Sequence, residues 1–238
     1  MAKNRAPIVL TIALCTAVVS TTAFGQIPWH RRARGFNQGI VVRHAPGDIQ
    51  PGFVKLFDGK TLAGWTVMGN PEGWQVVNGV IRSEAGKGGN WLRTNRTYSD
   101  FVLRLEWRVS QNGNSGVFIR CKENGNPWET GHEVQITNEP RDDLHCTGSL
   151  YGTVAVNPRP DESFGRWHTF EIRCEGQRIQ VIADGVRCVD ADMSRDVAIR
   201  DKPLAGYIGL QDAHTRPGGW IEFRNIRLKE LPSVQRHP

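Results

Sequence analysis

Helical periodicity is nearly absent from these 238 residues, which leaves an all-β fold as the expectation. Long apolar runs are scarce as well. The stretch Ile8 to Val19 is too short to span a bilayer, and nothing after it approaches the roughly 20 apolar residues of a membrane helix, so no transmembrane segment is expected in the mature chain. Cysteine is sparse, five in all, and no Cys-x-x-Cys pair occurs, which argues against a zinc or redox centre. Gly-x-Ser-x-Gly and His-Glu-x-x-His are missing, and Gly86-Lys-Gly-Gly89 lacks the spacing of a phosphate loop. No repeat of solenoid or propeller period is visible.

The basic excess is local. Lys3, Arg5, Arg31, Arg32, Arg34 and Arg43 all precede residue 52, and without them 24 basic residues face the 24 acidic ones of the whole chain. A near-neutral domain gives no support to nucleic-acid binding. The start of the chain reads as a signal peptide over residues 1–25: a basic beginning, the short apolar core, and Ala23-Phe-Gly25 as a small-x-small cleavage site. Export to the periplasm or the cell exterior follows. Residues 26–51 read as a flexible basic spacer, 52–231 as one large domain and 232–238 as a tail. Cys15 leaves with the leader. The remaining Cys121, Cys146, Cys174 and Cys188 allow three connectivities, of which Cys121 with Cys146 and Cys174 with Cys188 are favoured; buried free thiols are the alternative.

Apolar alternation recurs in short runs bounded by turn residues. Strands are expected near Phe53–Phe57, Trp74–Val77, Val80–Ser83, Asn90–Thr94, Phe101–Val109, Ser115–Cys121, His132–Thr137, Gly152–Val156, Trp167–Glu175, Arg178–Ala183, Val186–Asp190, Gly206–Gln211 and Trp220–Lys229. Asn78-Gly79 and Asp184-Gly185 tolerate positive φ and suit two-residue hairpins, so pairing is expected to be antiparallel in a sandwich or jelly roll. In the last strand the phase of Ile221 and Phe223 is broken by Ile226 and Leu228. That places a β-bulge near Arg224 and Asn225.

Two segments carry charge inside strand-like runs: Asn114-Ser-Gly-Val-Phe-Ile-Arg120 and Gly131-His-Glu-Val-Gln-Ile136. Alternation puts Val117 and Ile119 on one face, Phe118 and Arg120 on the other; Val134 and Ile136 likewise oppose Glu133 and Gln135. Neighbouring strands would then present Arg120, Glu133 and Gln135 together as a polar groove. A structural cross-strand ion pair of Arg120 with Glu133 is the competing account, and Glu106, in phase with Arg104 and Arg108, invites the same reading. Among the eight tryptophans, Trp65, Trp74, Trp107 and Trp167 read as core, whereas Trp91, Trp128 and Trp220 lie near Gly-rich loops and have rings a sugar could stack on.

Taken together and in order, Leu56-Phe-Asp-Gly-Lys-Thr-Leu-Ala-Gly-Trp65, Trp74-Gln-Val-Val-Asn-Gly-Val80, Tyr98-Ser-Asp-Phe101 with Leu105-Glu-Trp107, Asn114 to Arg120, Glu133-Val-Gln-Ile136, Gly148-Ser-Leu-Tyr-Gly152, Gly209-Leu-Gln-Asp212 and Phe223-Arg-Asn-Ile226 resemble the 3-keto-disaccharide hydrolase family. The resemblance spans Phe53 to Leu231. It implies a concanavalin-A-like jelly-roll sandwich of two antiparallel sheets whose concave face binds carbohydrate. It also implies cleavage of glycosides whose sugar carries a ketone at the third carbon, after an upstream sugar oxidoreductase has installed it. Three positions depart from the family pattern: His132 is usually Tyr, Asn138 stands where Asp is common, and Gln211-Asp-Ala-His214 has an extra residue before the histidine.

A ketone acidifies the hydrogen on the next carbon, so such a site needs a base, an oxyanion stabiliser and a proton donor for the leaving oxygen. On the resemblance these roles fall to Glu133 as base or acid, Arg120 on the enolate, and His214 or Asp212 as proton shuttle, with Gln135 and Tyr151 orienting hydroxyls. Glu106, Trp128, Trp220 and Arg224 are further candidates to contact an oligosaccharide or glycoside substrate. Ordinary retaining hydrolysis wants two carboxylates, and the Glu133 strand offers one. No metal or other cofactor is expected; a structural calcium has room in loops such as Asp142-Asp143, without a specific motif. A non-catalytic, lectin-like carbohydrate-binding module is the alternative to an enzyme.

Overall fold

The computed structural model describes residues 51–232. The expected leader, nearly all of the spacer and most of the tail fall outside the described residues. The described strands, in chain order, are β1 (Val54–Lys55), β2 (Trp65–Val67), β3 (Trp74–Val77), β4 (Val80–Glu84), β5 (Trp91–Thr94), β6 (Phe101–Val109), β7 (Asn114–Cys121), β8 (His132–Thr137), β9 (His168–Glu175), β10 (Arg178–Ala183), β11 (Val186–Asp192), β12 (Tyr207–Gln211) and β13 (Trp220–Glu230). One turn of helix, α1 (Pro127–Thr130), precedes β8. The turns behave as their residues require: Asn78 and Gly79 take φ of 50° and 80°, and Asp184 and Gly185 take 47° and 82°, the positive pair that a tight hairpin demands.

All pairings among the named strands are antiparallel, in two sheets. An eight-stranded sheet runs β11-β10-β9-β6-β13-β4-β3 with β1 beside β13, and a five-stranded sheet runs β2-β5-β12-β7-β8. Leu103, Leu105, Trp107, Phe170, Ile172, Ile221 and Phe223 face Leu92, Val117, Ile119, Val134, Ile136, Ile208 and Leu210 across one core. This is the expected jelly-roll sandwich, each sheet contributing every second residue to the interior. The bulge on β13 lies where the phase break put it, with the register shifting between Arg224 and Arg227 and Asn225 at φ 53°.

Three expectations about local structure are corrected. Residues 152–156 form no strand: Gly152 turns the chain at φ 66°, and the N–H groups of Thr153 and Val154 both donate to Leu150 O. Strand β2 is new, because three residues are too short for alternation to register. The favoured disulfides are not formed, and the four described cysteines are free buried thiols. Ile119 pairs with His132 and Leu150 with Val134, so Cys121 and Cys146 flank opposite ends of β8, on the order of 20 Å apart. Cys174 and Cys188 sit on β9 and β11, which β10 separates; two strand spacings of about 10 Å exceed the about 7 Å a disulfide can span.

The fourth correction concerns Arg120, which does not enter the groove. It occupies a bulge of β7 opposite β12, at φ 55°, where the register shifts between Tyr207 and Gly209. Two successive residues therefore turn inward: Ile119 and Arg120 face the core, while Cys121 returns to the face of Phe118. The guanidinium, fully buried, donates to Ser99 O at 2.8 and 3.0 Å, to Gly176 O at 2.8 Å and to Asp100 Oδ1 at 3.1 Å. It ties the end of β9 to the segment before β6. Removing one partner of a buried pair leaves the other uncompensated, a loss of about 3–5 kcal/mol. Arg120→Met is accordingly expected to lower stability by about that amount, read by urea unfolding; a variant as stable as the parent would refute this role.

Candidate active site

The face of the five-stranded sheet turned away from the core is also covered, but by a different set of side chains. Register defines them in rows across the strands. One row reads Thr66, Arg93, Gly209, Phe118 and Glu133, extended by Tyr151, whose N–H donates to Glu133 O. The next reads Trp91, Gln211, Gly116 and Gln135. Glycine is required twice. A Cβ on Gly116 would lie 2.5 Å from Glu133 Oε1, and one on Gly209 would lie 2.3 Å from the Trp91 ring, so each glycine lets a neighbouring side chain lie flat on the sheet. Trp91 meets Phe118 edge to face, centroids 5.8 Å apart, and the two form an apolar floor separate from the main core.

Glu133 stands on this floor with its carboxyl almost out of water, at 6% exposure. Burial pushes its pKa up to about 8, against an opposing hydrogen bond from the Gln211 side chain. Beside it, Gln135 Nε2 donates to Asn114 Oδ1 at 3.2 Å. At the far end of the rows Arg93 is buried, its guanidinium 4.0 Å from the Tyr207 ring centroid and 3.4 Å from the exposed Glu123 carboxylate. Arg93 escaped the sequence reading although its signal is there: like Arg120, it is a charge inside a strand between buried neighbours, Leu92 and Thr94.

The structure brings some expected residues together and separates others. Glu133, Gln135, Tyr151 and the Trp91 floor share the groove, and Trp128, 40% exposed on α1, lies beyond the end of β8 that carries Glu133. Asp212 and His214 line a hollow of about 370 Å³ with Gly86, Gly88, Ala213 and Thr215. Asp212 accepts the Asn90 N–H at 2.7 Å, and burial raises its pKa while the nearby His214 and that hydrogen bond oppose the rise. Counting strands and residues, Asp212 lies about 14 Å from Glu133 along the sheet, too far for direct proton exchange. His132 faces inward opposite Ile119, both ring nitrogens without a hydrogen-bond partner, and burial holds it neutral with a pKa near 3.

Arg224 and Trp220 are corrected as substrate contacts, and Glu106 makes the cross-strand ion pair that was its competing account. All three lie on the outer face of the eight-stranded sheet, behind the core: Arg224 Nε donates to Glu106 Oε2 at 2.7 Å, Asn225 to Glu106 Oε1 at 2.6 Å, and Trp220 lies under Arg82 and Arg108. The alternation of β6 and β13 puts all three on that face. Trp167, expected in the core, joins this ladder between Arg108 and Arg224.

Among the described residues one cluster has the spacing to hold a cation: Asp161, His168 and Asp184 have ligand atoms within 4.8 Å of one another, but His168 uses both nitrogens on Asp184 Oδ2 and Ser163 O, each at 2.7 Å. Burial works to lower the His168 pKa, and its hydrogen bonds to Asp184 and Ser163 more than offset it, so the ring is held above its ordinary value between two acceptors. Asp142 accepts the Leu144 N–H at 3.0 Å and contacts His145 Nδ1 at 2.7 Å, while Asp143 faces Arg159 at 3.4 Å. A larger hollow of about 930 Å³, lined by residues including Asp100, Arg178 and Asp192, lies beside the β9–β10 turn and away from Glu133.

The sequence profile of the 3-keto-alpha-glucoside-1,2-lyase-like domain matches residues 52–229. A 3-keto-disaccharide hydrolase of Bacteroides thetaiotaomicron is 26% identical over 233 residues, covering 76% of this chain and 79% of its own. A crystal structure of a candidate glycosyl hydrolase from Parabacteroides distasonis superposes with a TM-score of 0.66 at 26% identity, covering 75% of this chain and 99% of that one. The exoplasmic/lumenal domain of VIP36, solved with Ca2+ and Man3GlcNAc, shares the fold at 12% identity, with a TM-score of 0.54 and 79% and 91% coverage.

The dry carboxyl makes stability depend on pH. The folded pKa of Glu133, about 8, exceeds the ordinary 4.5, so the native state holds a proton the unfolded chain releases between these values. Stability from this group is full below about 4.5 and is lost as pH rises through about 8. From pH 5 to 9 the melting temperature of the parent should fall relative to that of Glu133→Gln. Parallel curves for the two proteins would place the Glu133 carboxyl in water.

Proposed function

We propose, for a chain that belongs to the 3-keto-alpha-glucoside-1,2-lyase-like domain family, that it cleaves glycosides whose sugar carries a ketone at the third carbon, by base-assisted elimination followed by hydration. The observation that carries this reading is the dry carboxyl of Glu133, standing on an aromatic floor among polar groups that suit a sugar. Gln135 takes the place of a second acid on that face, which disfavours ordinary two-carboxylate hydrolysis.

The chemistry follows from the ketone. Glu133 takes the proton from the second carbon; the C–H pair forms the C=C bond and the carbonyl π pair moves to oxygen as an enolate. When the carbonyl re-forms, the pair at the second carbon expels the aglycone from the first, and the leaving oxygen acquires a proton. Water then adds across the double bond. A carboxylate with its pKa near 8 is a stronger base than one in water, and still releases its proton near neutral pH. Gln135, Asn114 and Tyr151 would orient hydroxyls. The leader proposed from the sequence places this activity outside the cytoplasm, supplied by an oxidoreductase that oxidises the third hydroxyl.

The test is the initial rate on a 3-keto-glucoside. Glu133→Gln keeps shape but cannot take a proton, and is expected to lower kcat by about 100- to 10,000-fold without loss of fold. For the parent, kcat/KM should rise with pH and level off above about 8. A folded variant with an unchanged rate would remove Glu133 from the mechanism, and sugar binding without product release by the parent would favour a lectin-like module.

A further inference from the structure

Two polar atoms in the groove are buried and have no hydrogen-bond partner: Arg93 Nε, a donor, and Gln211 Oε1, an acceptor. Buried polar groups are nearly always paired, so two orphans of opposite character on one face point to a ligand that supplies the partners. The Gln211 amide already hydrogen-bonds the Glu133 carboxyl, so its free oxygen lies on the base's side of the floor, and Arg93 faces it from the other side of Gly209. Arg93 pairs with Gly209 and Gln211 with Trp91, so both orphans border the patch of floor where the missing side chain of Gly209 leaves the Trp91 ring flat on the sheet. Arg93 is fixed from behind by the Tyr207 ring and reached at 3.4 Å by Glu123, which is 62% exposed. Glu133 belongs to the same row on the opposite side, its backbone about 14 Å from that of Arg93 by three strand spacings.

We propose that Arg93 and Gln211 form the subsite that reads the ketone: the sugar ring lies on the Trp91–Gly209 floor, its carbonyl oxygen accepts from Arg93 Nε, and a neighbouring hydroxyl donates to Gln211 Oε1. The inference rests on the elimination reading and deepens it. A guanidinium has donors only, so it matches an oxygen that only accepts, and gains strength as that oxygen becomes an enolate. The ordinary glucoside offers a hydroxyl there, whose own proton then finds no acceptor on Arg93. Selectivity for the oxidised sugar thus comes from the carbon next to the one Glu133 deprotonates, and Arg93 takes the oxyanion role that Arg120, in the core, cannot.

The test separates binding from turnover by using the full chain carrying Glu133→Gln. Calorimetry with methyl 3-keto-α-glucoside and methyl α-glucoside is expected to show at least about tenfold tighter binding of the keto sugar, the scale of one charge-assisted hydrogen bond. Adding Arg93→Met should abolish that preference, and Gln211→Leu should weaken both sugars alike. Should Arg93→Met unfold, Arg93→Gln puts there an amide that accepts as well as donates, and is expected to lose the preference too. A preference that survives in the folded Arg93 variants overturns the subsite and leaves the elimination reading standing. Failure of both sugars to bind the Glu133→Gln chain overturns both.

Discussion

The structure depends on a sheet that is dry on both faces. Five strands carry the main core on one side and, on the other, a second apolar layer of Trp91 and Phe118 that leaves room for a single carboxyl. Desolvating a carboxylate without a cationic neighbour is costly, and the carboxyl responds by holding its proton to a higher pH. Glu133 is therefore neither a surface charge nor one half of an ion pair. Burial holds its proton to a higher pH, which the proposed acid or base in a groove needs and a structural salt bridge does not.

The bulge at Arg120 makes that isolation complete. Had β7 kept its alternation, a guanidinium would face Glu133 and hold it ionised at any moderate pH. One residue in the left-handed region sends it instead into the core, where the Ser99 and Gly176 carbonyls and Asp100 receive it. A local backbone choice thus decides the protonation state of a residue on the next strand. Gly116 and Gly209 complete the arrangement by clearing the surface on which the carboxyl and the indole lie.

Much of this was legible in the sequence, because alternation and turn chemistry are local. The hairpins at Asn78-Gly79 and Asp184-Gly185, the bulge near Asn225 and the opposite faces of Glu133 and Val134 all follow from residues a few positions apart. What escaped depends on partners far along the chain. The Arg120 bulge is imposed by register against β12, roughly ninety residues later, and leaves no trace in the periodicity of Val117 to Ile119. The cysteine pairings failed because sequence spacing says nothing of strand order: β10 comes between Cys174 and Cys188. Glu106, Arg224 and Trp220 were in the correct phase for an outer face, but on the other sheet, and phase alone does not say which sheet. Arg93 carried the same signal as Arg120, a charge among buried neighbours, and is the one that stays in the groove.

The central claim is that the Glu133 carboxyl is dry and titrates near neutral pH. The most direct measurement is a carboxyl-carbon NMR titration of protein labelled in its glutamates, with the Glu133 resonance assigned as the one missing from Glu133→Gln. The account predicts a midpoint near 8, well above the other glutamates; a midpoint near the ordinary 4.5 would contradict it and with it the proton-transfer role.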